Sequence, residues 1–165
     1  MADGPNQLAA AWRIRIPVPE WSGILVEASR GRGLLETGGI LLSRESPKGR
    51  VIDIDVAGGP GPNAKHGQRS FSRDLAHAKQ LADQAWRETG AIWVGEWHTH
   101  PVGPPVPSAT DVASYARHLA DADLGFDRFI SIVVACRAGR PASAAGWLVD
   151  GSGATGVNIE VVARR

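Results

Sequence analysis

The chain has 165 residues, the size of one domain, and its 43% hydrophobic and 21% charged content excludes a disordered or low-complexity scaffold. Eighteen Lys+Arg against seventeen Asp+Glu leave a net charge of +1, so no basic field for nucleic acid or an anionic membrane is expected, and the lone Cys136 excludes a disulfide framework or a Cys-rich zinc ribbon. No apolar run approaches the roughly 20 residues of a membrane span, and MADGPNQLAAAW lacks the basic-then-apolar order of a signal peptide, so a soluble, cytoplasmic protein is expected.

Residues 1–11 read as a flexible tail, small and polar with no period, and 12–165 as a single domain. The alternation of WRIRIPVP (Trp12–Pro19), broken by two prolines, suits an edge strand or an extended lead-in. Trp21, Ile24, Leu25 and Ala28 share one helical face, and Gly31–Gly33 would stop that helix. A strand over Thr37–Ser43 and a second over Val51–Val56 are joined by Ser46-Pro47-Lys48-Gly49, which predicts a hairpin. Ala57–Gln68 is too rich in Gly and Pro for regular structure and reads as a long loop. Ser72 is placed to cap a helix over about 73–89, with Leu75, Ala78, Leu81, Ala82, Ala85 and Trp86 on one face and Gly90 as its stop. A buried-type strand follows over Ala91–His98, then the proline-rich Pro101–Pro107 and a helix from Ser108 to about Asp123. Strands over 129–136, 144–149 and 156–162 complete the chain. The fold class expected is α/β or α+β, one largely antiparallel sheet with helices.

The informative stretch is Glu96-Trp97-His98-Thr99-His100-Pro101, with Ser108-Ala109-Thr110-Asp111 after it. Side chains repeat every two residues in a strand, so His98 and His100 project from one face. Asp111, in the first turn of the next helix, is the nearest third donor, and two His with one carboxylate form a known set for catalytic zinc. Water on such a zinc reaches a pKa near 7 and becomes a usable nucleophile. Glu36 is a candidate for the accompanying base, although spacing alone does not bring it to the metal. A structural reading stands beside the chemical one: Ser108-x-x-Asp111 has the form of a capping box, and the two roles can coexist.

Glu36 followed by H-x-H-x(7)-S-x-x-D at His98, His100, Ser108 and Asp111 resembles the JAMM motif of the JAB/MPN/Mov34 metalloprotease family. The surrounding ETGGILL, GEWHTHP and PSATD agree, and the likeness covers roughly residues 20–150, nearest the family's bacterial branch. The resemblance implies one zinc held by His98, His100 and Asp111, Glu36 as general acid/base, and Ser108 as a donor to the oxyanion. It implies a curved, mainly antiparallel sheet flanked by helices, in the cytidine-deaminase-like arrangement. The activity implied is an isopeptidase or peptidase that cleaves after the C-terminal glycine of a ubiquitin-like protein, in deconjugation or in precursor processing. Relatives of this branch accompany operon-encoded activating and conjugating enzymes, which are the partners the resemblance suggests. Two alternatives stand beside it: a peptidase releasing an amino acid from a sulfur-carrier protein's C-terminus, and a non-catalytic MPN module that binds a partner.

The other polar and aromatic residues receive plainer readings. Glu96 shares parity with the two histidines and is either a contact near the site or a solvated strand residue. Trp93 and Trp97, of opposite parity, are expected together in the core. Trp12, Trp21, Trp86 and Trp147 read as anchors without chemical meaning. His66 reads as a solvated loop residue, His77 and His118 as exposed or capping, and Cys136 as a buried, inert thiol. Asp53 and Asp55 alternate as solvent-facing strand residues should.

Overall fold

The computed structural model describes residues 12–30, 34–44 and 50–164; the tail over 1–11, the Gly31–Gly33 stop and the Ser46–Gly49 turn lie outside the described residues. In chain order the elements are β1 (Arg13–Pro17), α1 (Val18–Ala28), β2 (Gly38–Ser43), β3 (Val51–Asp53), β4 (Val56–Ala57), β5 (Lys65–His66) and β6 (Phe71–Ser72). They continue with α2 (Leu75–Thr89), β7 (Ile92–His100), α3 (Ala109–Ala120), β8 (Phe129–Arg137), β9 (Arg140–Asp150) and β10 (Gly153–Val162). Eight strands form one sheet in the order β3-β1-β10-β9-β8-β7-β2-β4, and β5 with β6 makes a small separate hairpin. Antiparallel pairings in the large sheet outnumber parallel ones four to three, the parallel ones being β1–β10, β1–β3 and β7–β8. The protein is thus mixed α/β, as expected. None of its described helices is long and apolar enough to cross a membrane.

The outermost strands, β3 and β4, are neighbours in the chain, so the sheet rolls until its two ends meet. Ile54 N–H donates to the Arg15 carbonyl on the β1 side (2.8 Å), and Asp55 N–H donates to the Leu42 carbonyl on the β2 side (2.9 Å). The expected single strand over Val51–Val56, hairpinned on β2, is therefore divided. Its first half pairs with β1 and only Val56–Ala57 pairs with β2. Crossing the seam satisfies backbone groups at both edges and buries Ile52 and Ile54. Arg15 clasps Asp53 through two hydrogen bonds and Arg44 pairs with Asp55, so these aspartates are engaged rather than freely solvated.

The edge placement of β1 is also corrected: it lies between β3 and β10 with Ile14 and Ile16 fully buried. Its prolines do not interrupt the ladder, because Pro17 ends the strand and Pro19 sits in the first turn of α1, where N–H groups have no intrahelical partner. On α2, Ser72 is not the cap, since it is paired with Lys65 in β6. The cap is Asp74, whose carboxylate accepts from His77 N–H, and Gly90 in the left-handed region (φ 73°) closes the helix. Leu75 and Trp86, expected on the buried face, are 75% and 61% exposed. Ala78, Leu81, Ala82 and Ala85 make the contact instead.

Alternation along β2 sorts the two faces. Leu41 joins the cluster of α1's Ile24 with Ile14, Ile132 and Trp97, while Ile40 and Leu42 pack against α2. Under α3, Tyr115, Phe129 and Val149 form a third cluster. β7 carries a bulge: Leu41 pairs with Gly95 but Leu42 with Trp93, which leaves Val94 as an extra residue. The bulge reverses parity, so Trp93 lies on the α3 side among Phe126, Phe129 and His118, away from Trp97. His118 is correspondingly packed against aromatic rings rather than exposed, and burial lowers its pKa from the ordinary 6.5.

Candidate metal centre

The site is built where β7 ends and α3 begins. His98 and His100 stand on the α3-facing side of β7 and are 3% and 8% exposed. Their Nε2 atoms are 3.1 Å apart, and each is 3.3 Å from Asp111 Oδ2. The structure thus brings together the three residues read from the motif. His100 is aimed by its other nitrogen, where Nδ1–H donates to the Pro104 carbonyl (3.0 Å). Trp147 Nε1–H donates to the adjoining Pro105 carbonyl (3.0 Å) and so pins the proline-rich loop, a role its sequence context did not signal.

Asp111 is held by the capping box of α3. Ser108 Oγ accepts Asp111 N–H (3.2 Å), and Ser108 N–H donates to Asp111 Oδ2 (2.6 Å), the oxygen that faces the histidines. Burial acts to raise the Asp111 pKa, but hydrogen bonds from His100 and His98 outweigh it and hold the carboxyl well below the usual range. The hydrogen bond to Asp111 correspondingly raises the pKa of His100.

Glu36 reaches the same place through strand register. Gly38 pairs with His98 across β2 and β7. One step further, Thr99 N–H donates to the Thr37 carbonyl (2.8 Å) and Thr37 N–H to Thr99 Oγ1 (2.9 Å). Glu36 is then level with His100. Burial raises its carboxyl above the ordinary 4.5, with His98 and His100 pulling it back and Asp111 adding to the rise. Thr37 is fixed in turn by the buried Glu27, which accepts its hydroxyl (2.9 Å). The glycine pair after Thr37 is sterically required. A Cβ on Gly38 would lie 2.4 Å from the Trp97 carbonyl oxygen, and one on Gly39 1.8 Å from that of Gly58.

Deprotonated at Nε2, as metal binding requires, the two histidines and the carboxylate would turn three lone pairs on one point, which a cation between them would satisfy. Zinc with ligands at 2.0–2.2 Å in tetrahedral array needs donor atoms about 3.3–3.5 Å apart, close to the separations seen here. The donor set fits the ion, and His98, His100 and Asp111 would hold it.

Glu96 is not a solvated residue: its carboxylate pairs with Arg73, and both side chains are largely buried. Arg73 also lies over the Trp93 ring, 5.8 Å from its centroid. On α3, one turn beyond Asp111, Tyr115 bonds to Ser131 (2.8 Å) and is fully buried. His66 is likewise engaged, its Nδ1 lying 2.8 Å from the Glu36 carbonyl oxygen. Nothing in the spacing of Arg73 or His66 announces these contacts. Cys136 is half-buried beside the α1 cluster, and burial raises its thiol pKa, as befits an inert side chain.

A family described as prokaryotic homologues of the JAB domain has a sequence model that matches residues 20–153. Similar curated proteins include a CD-NTase/cGAS isopeptidase of Enterobacter hormaechei subsp. hoffmannii, 35% identical over 91 residues, covering 55% of this chain and 50% of that protein. Another, from Vibrio cholerae serotype O1, is 30% identical over 102 residues, covering 61% and 54%. The chain spans about half the length of the curated relatives it matches. Among solved structures, protein DSY2949 from Desulfitobacterium hafniense superposes with a TM-score of 0.66 at 20% identity, over 92% of this chain and 94% of that one. That likeness concerns the fold.

Proposed function

The chain belongs to the family of prokaryotic homologues of the JAB domain, and from that premise we propose that it is a zinc-dependent isopeptidase that cleaves after the C-terminal glycine of a ubiquitin-like protein. The observation that carries the reading is the convergence of His98 Nε2, His100 Nε2 and Asp111 Oδ2 within 3.1–3.3 Å. Zinc bound there supplies Lewis-acid polarisation of the scissile carbonyl and acidifies water toward pKa 7.

The chain's own groups do the rest. Glu36, beside His100, takes the proton from the attacking water and returns it to the leaving amine. In the metal-free chain burial raises the pKa of this carboxyl, the direction that helps a base give its proton back. Ser108 accepts the Asp111 amide on Oγ, which leaves the hydroxyl proton to donate to the developing oxyanion. Pro104 and the capping box keep His100 and Asp111 in place throughout.

The relatives' name extends the reading to the target: the ubiquitin-like protein would be released from a CD-NTase-type enzyme. Activating and conjugating enzymes would be the partners that attach it. The test is elemental analysis of purified protein with and without chelator. About one zinc per chain is expected, and its loss in His98→Ala. In the same preparations, Glu36→Gln should keep zinc while turnover falls roughly 10²–10⁴-fold. Protein that neither holds nor takes up zinc would leave a partner-binding module as the better account.

A further inference from the structure

We propose that His66 is a positioning residue for the reaction: it fixes the backbone of Glu36 and so aims the carboxylate. The inference rests on Glu36 being the base. Glu36 precedes β2 and has no ladder pairing of its own. Its N–H donates to the Gly67 carbonyl (2.7 Å), and its carbonyl accepts from His66 Nδ1 (2.8 Å). A carbonyl only accepts, so the proton of the ring sits on Nδ1. Both backbone groups of Glu36 are thus gripped by the β5–β6 hairpin. The preceding Leu34 and Leu35 are 56% and 38% exposed.

The hairpin is itself anchored. Gly67 N–H donates to the Ser70 carbonyl (2.8 Å) to close its turn, and the His66 ring leans on Phe71 at 5.5 Å between centroids. At its root, Asp74 accepts from the Asn63 backbone and side chain (3.1 and 3.0 Å), and the neighbouring Arg73 pairs with Glu96 on the strand of the two histidines. A rigid base of this kind converts one hydrogen bond into control of a carboxylate's direction. His66 itself is only half-buried and belongs to none of the three core clusters, so removing its ring leaves the core intact.

The experiment uses the full zinc-loaded chain and, as probe, ubiquitin bearing a fluorogenic amide at its C-terminal glycine. His66→Ala should lower kcat roughly 10–100-fold, the scale of a small misalignment, with KM, zinc content and melting temperature unchanged. His66→Asn, whose amide N–H occupies the place of Nδ1–H, should recover most of the loss. An unchanged kcat in His66→Ala, or equal losses in both variants, overturns the proposal. Glu36→Gln run in parallel separates the two readings. If Glu36→Gln is silent and His66→Ala active, only the role of His66 fails; if Glu36→Gln is active, the base assignment fails first. A measurement free of turnover accompanies these. The carbonyl carbon shift of Glu36, followed by NMR, should move in His66→Ala, where that carbonyl loses its donor, and return toward the parent value in His66→Asn. The Thr99 amide should be unaffected in either. A Glu36 carbonyl shift equal in the parent and His66→Ala overturns the proposal whatever the probe does.

Discussion

Ser108 Oγ accepts the Asp111 amide, and the Ser108 amide donates to the Asp111 oxygen that faces the histidines. The capping and chemical readings of Ser108-x-x-Asp111 are therefore not rivals, because the cap is what turns the ligand. Substitution separates them. Ser108→Ala removes both acceptor and hydroxyl and should cost about 1 kcal/mol of stability, whereas Ser108→Gly retains most of the capping preference at a cost of a few tenths. Turnover should fall in both by roughly 10²-fold, the scale of one lost oxyanion donor. A Ser108→Gly variant with parental turnover would return the residue to capping alone, as denaturation midpoints measured beside kcat will show. The three donors around this serine were legible because strand parity and helix position are local rules. Glu36 was reached only by resemblance, since its place level with His100 depends on a β2–β7 register between residues some sixty positions apart. His66 and Arg73 gave no signal, as each acts through one contact with a backbone or carboxylate far away in the chain.

Helix α2 shows how the ends of elements escape a sequence reading while their middles do not. Ser72 and Asp74 are both capping-type residues, and the choice fell to Asp74 because the β5–β6 hairpin had already taken Ser72 into its ladder. On β7 the alternation held from Gly95 to His100 and failed at the bulge, where Val94 is inserted on the Trp97 side and Trp93 changes face. Asp74 has a pH signature. Its carboxyl is held below the ordinary 3.8, first by the His77 amide and then by the Asn63 amide. The depressed value means a contribution to stability that is complete above pH 3.8 and is lost as pH falls from there through the folded value. Asp74→Asn keeps an acceptor for His77 but faces the Asn63 donors with an amide. Urea midpoints of the metal-free protein should therefore favour the parent over Asp74→Asn at pH 7, and the gap should narrow at pH 3. A gap that stays constant would mean that Asp74 does not titrate differently on unfolding.

The curved sheet was reached through the family resemblance and not through local patterning. Local patterning supplies strands and their faces, but the order β3-β1-β10-β9-β8-β7-β2-β4 is a matter of which edges meet, and the seam closes where the chain passes from β3 to β4. Closure has a thermodynamic consequence for the metal centre. The donors come from β7 and from α3, and α3 touches the sheet mainly through Tyr115 and its cluster. An ion bound by His98, His100 and Asp111 would clamp that helix to the sheet only in the folded chain, where all three donors converge. Binding to the native state alone stabilises by mass action, about 4 kcal/mol at a thousandfold excess over Kd. For a chain of this size one kcal/mol moves the melting temperature by roughly 2–4 °C. Chelation of the zinc-loaded parent should therefore lower its melting temperature by about 8–16 °C, and His98→Ala should melt alike with and without chelator. Amide exchange should show the loosened region at α3 before it reaches β8 and β9, which hold each other without the ion. A parent whose melting is indifferent to chelator would argue that the three donors serve the fold through their own hydrogen bonds, and the zinc assignment would fall with it.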